Sequence, residues 1–151
     1  MATLFIDIAQ LLGYIEPRKD VLLMEITVGM KAEARTCVER EDTAAEVGSG
    51  SLLVYATPCM VALMEGAACE AIADAVPEGK TTVGIELNIA HLSATPVGLE
   101  VWAEAEVTAV EKNIITFKVT AFDEAGKIGE GTHKRCMITA QKVLEKTYEK
   151  L

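Results

Sequence analysis

The 151-residue chain has no C-x-x-C pair, no excess of basic residues and no apolar run long enough to span a bilayer. Its four cysteines, Cys37, Cys59, Cys69 and Cys136, are scattered and share no metal-like spacing with His91 or His133. That argues against a disulfide scaffold or a zinc site and for a reducing, cytoplasmic setting. Lys and Arg number 14 against 23 Asp and Glu, a formal charge of −9. This balance disfavours nucleic acid and anionic membranes as partners, though a local cluster of cations can still meet a phosphate-bearing small molecule. The N-terminus lacks the basic region and small-residue cleavage site of a secretory leader. There is no internal repeat and no low-complexity segment.

What is present points to one folded domain. Half of the residues are hydrophobic, enough at this length to bury a core. Residues 1–24 carry Leu4, Phe5, Ile8, Leu11, Leu12 and Ile15 at helical spacing, the pattern of an amphipathic N-terminal extension. From Ile26 to Val38 the apolar period becomes two, predicting a half-buried strand. A charged and then glycine-rich stretch runs from Glu39 to Ser51, in which Gly48-Ser49-Gly50-Ser51 predicts a mobile loop, and Thr57-Pro58 then opens a long helix. In that reading Thr57 is the N-cap, and Pro77-Glu78-Gly79 ends the helix. Four strand patterns follow, around Val83–Ile89, Leu99–Val107, Ile115–Ala121 and residues 127–140. Short links between the last strands require antiparallel pairing. The expected architecture is α+β: a long helix wrapped by a curved antiparallel sheet over residues 25–151, with a second subunit covering what the sheet leaves bare.

Within the helix, Glu65 stands out. Glu70 and Asp74 share a natural solvent stripe, whereas Glu65 points about 180° from Asp74 and about 140° from Glu70. Its neighbours at helical spacing are Val61, Ala68, Cys69 and Ile72, so it is expected inside the buried stripe, where a carboxylate needs a partner. His91 continues the odd-numbered apolar face of Val83, Ile85, Leu87 and Ile89 and is the expected partner. Thr57 lies at the helix N-terminus, where backbone N–H groups can stabilise an oxyanion. Cys59 reads as a small buried filler, and His133 on the last strand as structural or rim-exposed. Lys134 or Arg135 could meet a phosphate or an acyl carbonyl. Thr57 and Glu65 are eight residues apart, roughly 12 Å along a regular helix, too far to act together on one atom within one chain. Either the helix starts late or the site draws on two subunits.

The segments Val54-Tyr55-Ala56-Thr57-Pro58-Cys59-Met60-Val61-Ala62-Leu63-Met64-Glu65, His91-Leu92-Ser93-Ala94-Thr95-Pro96-Val97-Gly98 and Gly126-Lys127-Ile128-Gly129-Glu130-Gly131-Thr132-His133-Lys134-Arg135 resemble the fluoroacetyl-CoA thioesterase-like branch of the hot-dog thioesterases. The resemblance implies a hot-dog fold, a homodimer with sites at the interface and hydrolysis of acyl-CoA thioesters, with no cofactor beyond the substrate's CoA. It implies catalytic roles for Thr57, Glu65 and His91, a position near the thioester for Gly84 and one near the acyl end for Arg135. The fluoroacetyl-specific enzyme has phenylalanines in the lid before the helix. Here that segment is Gly48-Ser49-Gly50-Ser51, so a more ordinary short or branched acyl group is expected. The rival readings are a non-catalytic acyl-CoA binding or sensing module on the same scaffold, a hydratase or dehydratase, and a purely structural dimer.

Overall fold

The computed structural model describes residues 25–151. The amphipathic helix expected over residues 1–24 lies outside the described residues. The elements run β1 (Lys31–Cys37), a 3-10 turn (Arg40–Asp42), α1 (Ala44–Val47), α2 (Thr57–Ile72), a 3-10 turn (Ala73–Ala75), β2 (Lys80–His91), β3 (Glu100–Glu111), β4 (Ile114–Asp123), β5 (Gly126–Thr139) and α3 (Ala140–Tyr148). The strands form one antiparallel sheet in the order β1-β3-β4-β5-β2. The two-residue β3–β4 connection places Lys112 at φ 57, while Asp123 Oδ1 accepts from the Ala125 and Gly126 N–H groups to close the β4–β5 turn.

Odd-numbered residues of β3 and β4 face α2, as their alternation predicts. Val101, Ala103, Ala105 and Val107 are buried beside Ile115, Phe117, Val119 and Ala121. From the helix, Met60, Met64, Ala67, Ala68 and Ile72 close this core. Alanine and glycine on the sheet side let the helix approach closely. A Cβ on Gly129 would fall 2.6 Å from Met60 Sδ, and one on Gly131 would overlap the Asn88 carbonyl oxygen of the neighbouring strand. The helix lies mainly over β1 and β3 and more lightly over β4 and β2.

Several boundaries differ from the sequence reading. The first strand begins at Lys31, because Thr27 to Met30 form a turn closed by the Met30 N–H to Thr27 O bond, with Gly29 at φ 93. The charged stretch ahead of Gly48-Ser49-Gly50-Ser51 contains α1 and a 3-10 turn, and Gly48 at φ 77 caps α1 in the left-handed conformation. Helix α3 lies in a segment that carried no such expectation.

The largest correction concerns β2. Its odd face was expected to pack on the helix, yet Val83, Ile85 and Leu87 are 38%, 51% and 40% exposed. Two physical reasons account for this, the edge position for all three residues and a bulge for Val83 and Ile85. β2 is an edge strand, paired on one side with β5. A bulge also shifts its register, so Gly84 lies opposite Arg135 while Glu86 lies opposite Lys134, and Ile85 is the extra residue. Parity therefore flips there: Gly84 shares a face with Arg135, whereas Leu87, Ile89 and His91 share it with His133, Gly131 and Gly129.

Phe117 is fully buried at the centre of this core. Phe117→Ala is expected to lower stability by about 3–5 kcal/mol, read from the urea midpoint at unchanged slope. A loss below about 1 kcal/mol would show that the helix–sheet interface is not the core.

Candidate active site

The start of α2 is placed by its flanks. Val54 bridges Pro96, Tyr55 bridges Thr43, and the Tyr55 N–H donates to the Thr95 carbonyl. The segment after β2 is held in turn by the Leu92 and Ser93 N–H groups, which both donate to the Ile128 carbonyl. These bonds bring the N-terminus of α2 against the C-terminus of β2, where Thr57 Oγ1 and His91 Nδ1 lie 2.8 Å apart. Thr57 is not the cap: the helix begins at Thr57 itself, Ala56 is the N-cap, and no side chain caps the helix. The hydroxyl expected to cap the backbone is engaged with the imidazole instead.

His91 is half-buried, and its Nε2 is buried without a hydrogen-bond partner among the described residues. Burial pushes the imidazole below its ordinary pKa, with the nearby Ser93 backbone acting in the opposite direction. An imidazole kept neutral beside a hydroxyl is a competent proton acceptor. Cys59 also sits in this first turn, and burial raises its thiol pKa, with the Asp42 charge adding to the effect. A raised pKa is the reverse of what an activated thiolate needs.

Glu65 belongs to a second cluster. Its side chain is 34% exposed and flanks the core-facing stripe, so it is not inside that stripe as the helical wheel suggested. The expected partner was His91, but the partners observed are on β5: Arg135 Nη1 donates to Glu65 Oε2 at 2.7 Å, and His133 Nε2 lies 3.4 Å from the same oxygen. His91 and Glu65 do not pair because they sit at opposite ends of a regular stretch of α2, the same separation that keeps Glu65 from Thr57. Gly84 is essential to this geometry, since a Cβ there would overlap Glu65 Oε2 and lie 3.1 Å from His133 Cε1.

Arg135 is almost fully buried and its three nitrogens are engaged. Nε donates to Thr82 Oγ1 at 2.9 Å, Nη2 to the Thr82 carbonyl at 2.9 Å, and Nη1 to Glu65, with His133 Nε2 3.1 Å away. The resemblance implies a place near the acyl end for this guanidinium, and within the chain it clamps the Glu65 carboxylate. His133, read as structural or rim-exposed, is fully buried under α2 and stacked on Phe117, with Nδ1 3.0 Å from the Glu86 carbonyl. The signal that could have found His133 and Thr82 is strand pairing: His133 and Arg135 share parity with Gly129 and Gly131, but Thr82 joins them only through the bulge.

The site thus consists of two polar clusters on the helix–sheet side. One is a hydroxyl–imidazole pair at a helix N-terminus, and the other is a carboxylate gripped by a buried guanidinium and a buried imidazole. Together they can accept a proton, present an oxygen nucleophile and stabilise a developing oxyanion.

Comparison with known proteins agrees with this chemistry. The family model described as fluoroacetyl-CoA-specific thioesterase (FlK) matches residues 38–141. A fluoroacetyl-CoA thioesterase from Streptantibioticus cattleyicolor is 38% identical over 97 residues, covering 64% of this chain and 70% of the relative. A solved structure of a variant fluoroacetyl-CoA-specific thioesterase in complex with fluoroacetate and CoA is 31% identical, with a TM-score of 0.74, covering 78% of this chain and 99% of that one. A thioesterase superfamily member from Thermus thermophilus is 30% identical with a TM-score of 0.73, covering 83% of this chain and 98% of that one. With the family model spanning most of the sequence and every element from β2 to β5, the chain belongs to the fluoroacetyl-CoA-specific thioesterase family and is a thioester hydrolase of hot-dog fold.

Proposed function

We propose that the protein hydrolyses a short-chain acyl-CoA to the free acid and CoA, as a cytoplasmic homodimer without a bound cofactor. Thr57, His91 and Glu65 are its catalytic residues, and Gly84 and Arg135 shape the site. The observation that carries this reading is the 2.8 Å contact between Thr57 Oγ1 and His91 Nδ1 at the N-terminus of α2. In the tautomer with bare Nδ1, His91 takes the proton of the Thr57 hydroxyl or of a water in its place. The oxygen attacks the thioester carbonyl while N–H groups of the helix start face the oxyanion, and the proton passes to the CoA sulfur as the C–S bond breaks. Where the oxygen is that of Thr57, a water deprotonated by the same imidazole then attacks the acyl-threonine ester, and the proton returns to the threonine oxygen as the C–O bond breaks and the free acid leaves. Glu65 makes no contact with His91 within one chain, which favours Glu65 acting on substrate or water over Glu65 orienting that imidazole. Acid–base groups and water suffice for this chemistry, which supports the absence of a cofactor.

The lid segment Gly48-Ser49-Gly50-Ser51 has no aromatic ring, which supports an acyl group other than fluoroacetyl. The dimer is supported by the apolar edge at Val83, Ile85 and Leu87 and by the lean of α2 toward β1 and β3. A 12-residue edge strand with such side chains is a template for pairing with a second copy. The four free cysteines, with Cys37 and Cys69 exposed, suit a reducing cytoplasm.

Thiol release over a panel of acyl-CoAs tests the reading. Thr57→Ala, Glu65→Gln and His91→Ala are each expected to slow turnover by roughly a hundredfold or more. A parent with no turnover on any acyl-CoA, or variants as fast as the parent, would sink it. A base must be neutral to work, and burial lowers the His91 pKa. The kcat/KM profile should therefore stay flat down to about pH 6.5 and fall only as acidification protonates the ring below that ordinary value. An acid limb lying above that value contradicts the assignment. Finally, Ile85→Glu with Leu87→Glu is expected to convert a dimer to an inactive monomer in sedimentation and activity measurements, whereas a parent that sediments as a monomer excludes the two-subunit site.

A further inference from the structure

We propose that His133 is a positioning residue for hydrolysis: β2 fixes its tautomer, and its Nε2 lone pair holds the Arg135 group that aims the Glu65 carboxylate. This rests on the reading of Glu65 as a working group. Nothing in the sequence patterns asks for a histidine beneath a helix, where an apolar residue would pack at lower cost.

Both ring nitrogens have partners whose chemistry is one-sided. The Glu86 backbone carbonyl only accepts, so the Nδ1 atom 3.0 Å from it carries the proton. In a neutral ring Nε2 is then bare. The Arg135 Nη1 group 3.1 Å away only donates, so it supplies the hydrogen that Nε2 accepts. The same Nη1 donates to Glu65 Oε2 at 2.7 Å, and Oε2 lies 3.4 Å from Nε2. In this triangle Nη1 is the single donor, and two acceptors converge on it. Without the Nε2 acceptor the guanidinium loses one of the bonds that set its rotation, and Glu65 turns with it. A hydrophobic side chain of the same shape would supply the packing but not this bond.

The groups around the ring support a neutral state. Glu65 faces it from α2, Arg135 from its own strand, the Glu86 carbonyl from β2 and the Phe117 ring from β4 at 6.1 Å between centroids. Burial depresses the pKa, Arg135 adds to the effect, and the Glu86 bond and the Glu65 charge oppose it. Protonation would invert the triangle: an Nε2–H would meet the donor on Arg135 and attract Glu65 instead. Acid would therefore pull the carboxylate off Arg135. Because His133 is fully buried, it acts through Arg135 and Glu65 and not on substrate.

The test compares His133→Phe, which keeps a stacked ring and loses both bonds, with His133→Gln, which keeps an acceptor and cannot titrate. His133→Phe is expected to lower kcat by roughly ten- to a hundred-fold, the effect of one hydrogen bond to a charged group, with KM changed by less than about threefold. His133→Gln should recover kcat to within about fivefold of the parent, and its acid limb of log kcat against pH should be shallower than the parent's by about one unit of slope. Long-range 1H–15N correlation of the parent should show His133 protonated at Nδ1 alone. Parental kcat in His133→Phe, an unchanged acid limb in His133→Gln, or a proton on Nε2 at neutral pH would each overturn the proposal. If His133→Phe does not fold, the glutamine variant and the tautomer decide. A parent that releases no thiol from any acyl-CoA defeats the hydrolase reading instead, and the tautomer then judges the Arg135 triangle by itself.

Discussion

A guanidinium almost sealed from water joins three elements at the centre of this protein. Arg135 rises from β5, donates twice to Thr82 on β2 and once to Glu65 on α2, and lies against His133 on its own strand. A buried cation is costly unless its donors are matched, and here each nitrogen has an acceptor. The demand runs in both directions. The edge strand must bulge at Ile85 to bring Thr82 and Gly84 to the helix side, and position 84 must be glycine to admit the carboxylate. The helix must present Glu65 on the flank of its apolar stripe, where a charged group can reach the clamp and still touch solvent.

The same arrangement divides the chemistry. A regular helix separates Thr57 from Glu65, so the hydroxyl–imidazole pair and the clamped carboxylate occupy different places along α2. The Thr57 hydroxyl is released from capping because Ala56 is the N-cap and the bridges of Val54 and Tyr55 hold the helix start in place. Among the described residues, the Nε2 of His91 is buried without a hydrogen-bond partner and the apolar edge of β2 is exposed.

Much of the fold was legible because it depends on local periodicity. The odd faces of β3 and β4, the long helix and its end near Pro77, and the tight turns at Lys112 and at Asp123 follow from period-two alternation, helix rules and turn chemistry. The site was legible only in part. Glu65 and His91 were recognisable as misplaced polar groups, but face parity does not give position along the helix axis: His91 meets α2 at Thr57, whereas Glu65 lies roughly two turns further on, and the bulge in β2 hides the Thr82 contact. Nothing in Thr82-Val83-Gly84-Ile85-Glu86 marks Ile85 as the extra residue, since its alternation is unbroken. His133 looked peripheral for a related reason: the residues that bury it, Phe117 and the helix, are distant in sequence.

The sequence by itself determined which groups exist and how they repeat: a carboxylate off the solvent stripe of an apolar helix, a threonine at its start, a histidine ending one strand and a His-x-Arg pair on another. It also determined the element order, because hydrophobic periods and turn residues act over a few positions. Tertiary structure alone decided who meets whom. It gave Thr57 to His91 and Glu65 to Arg135 and His133, and among the described residues it left β2 bare along one edge. The reason is that contact depends on register and on which strand lies under which part of the helix. Those are set by the packing of the whole sheet, which brings the end of β2 to the start of α2 and β5 to its middle.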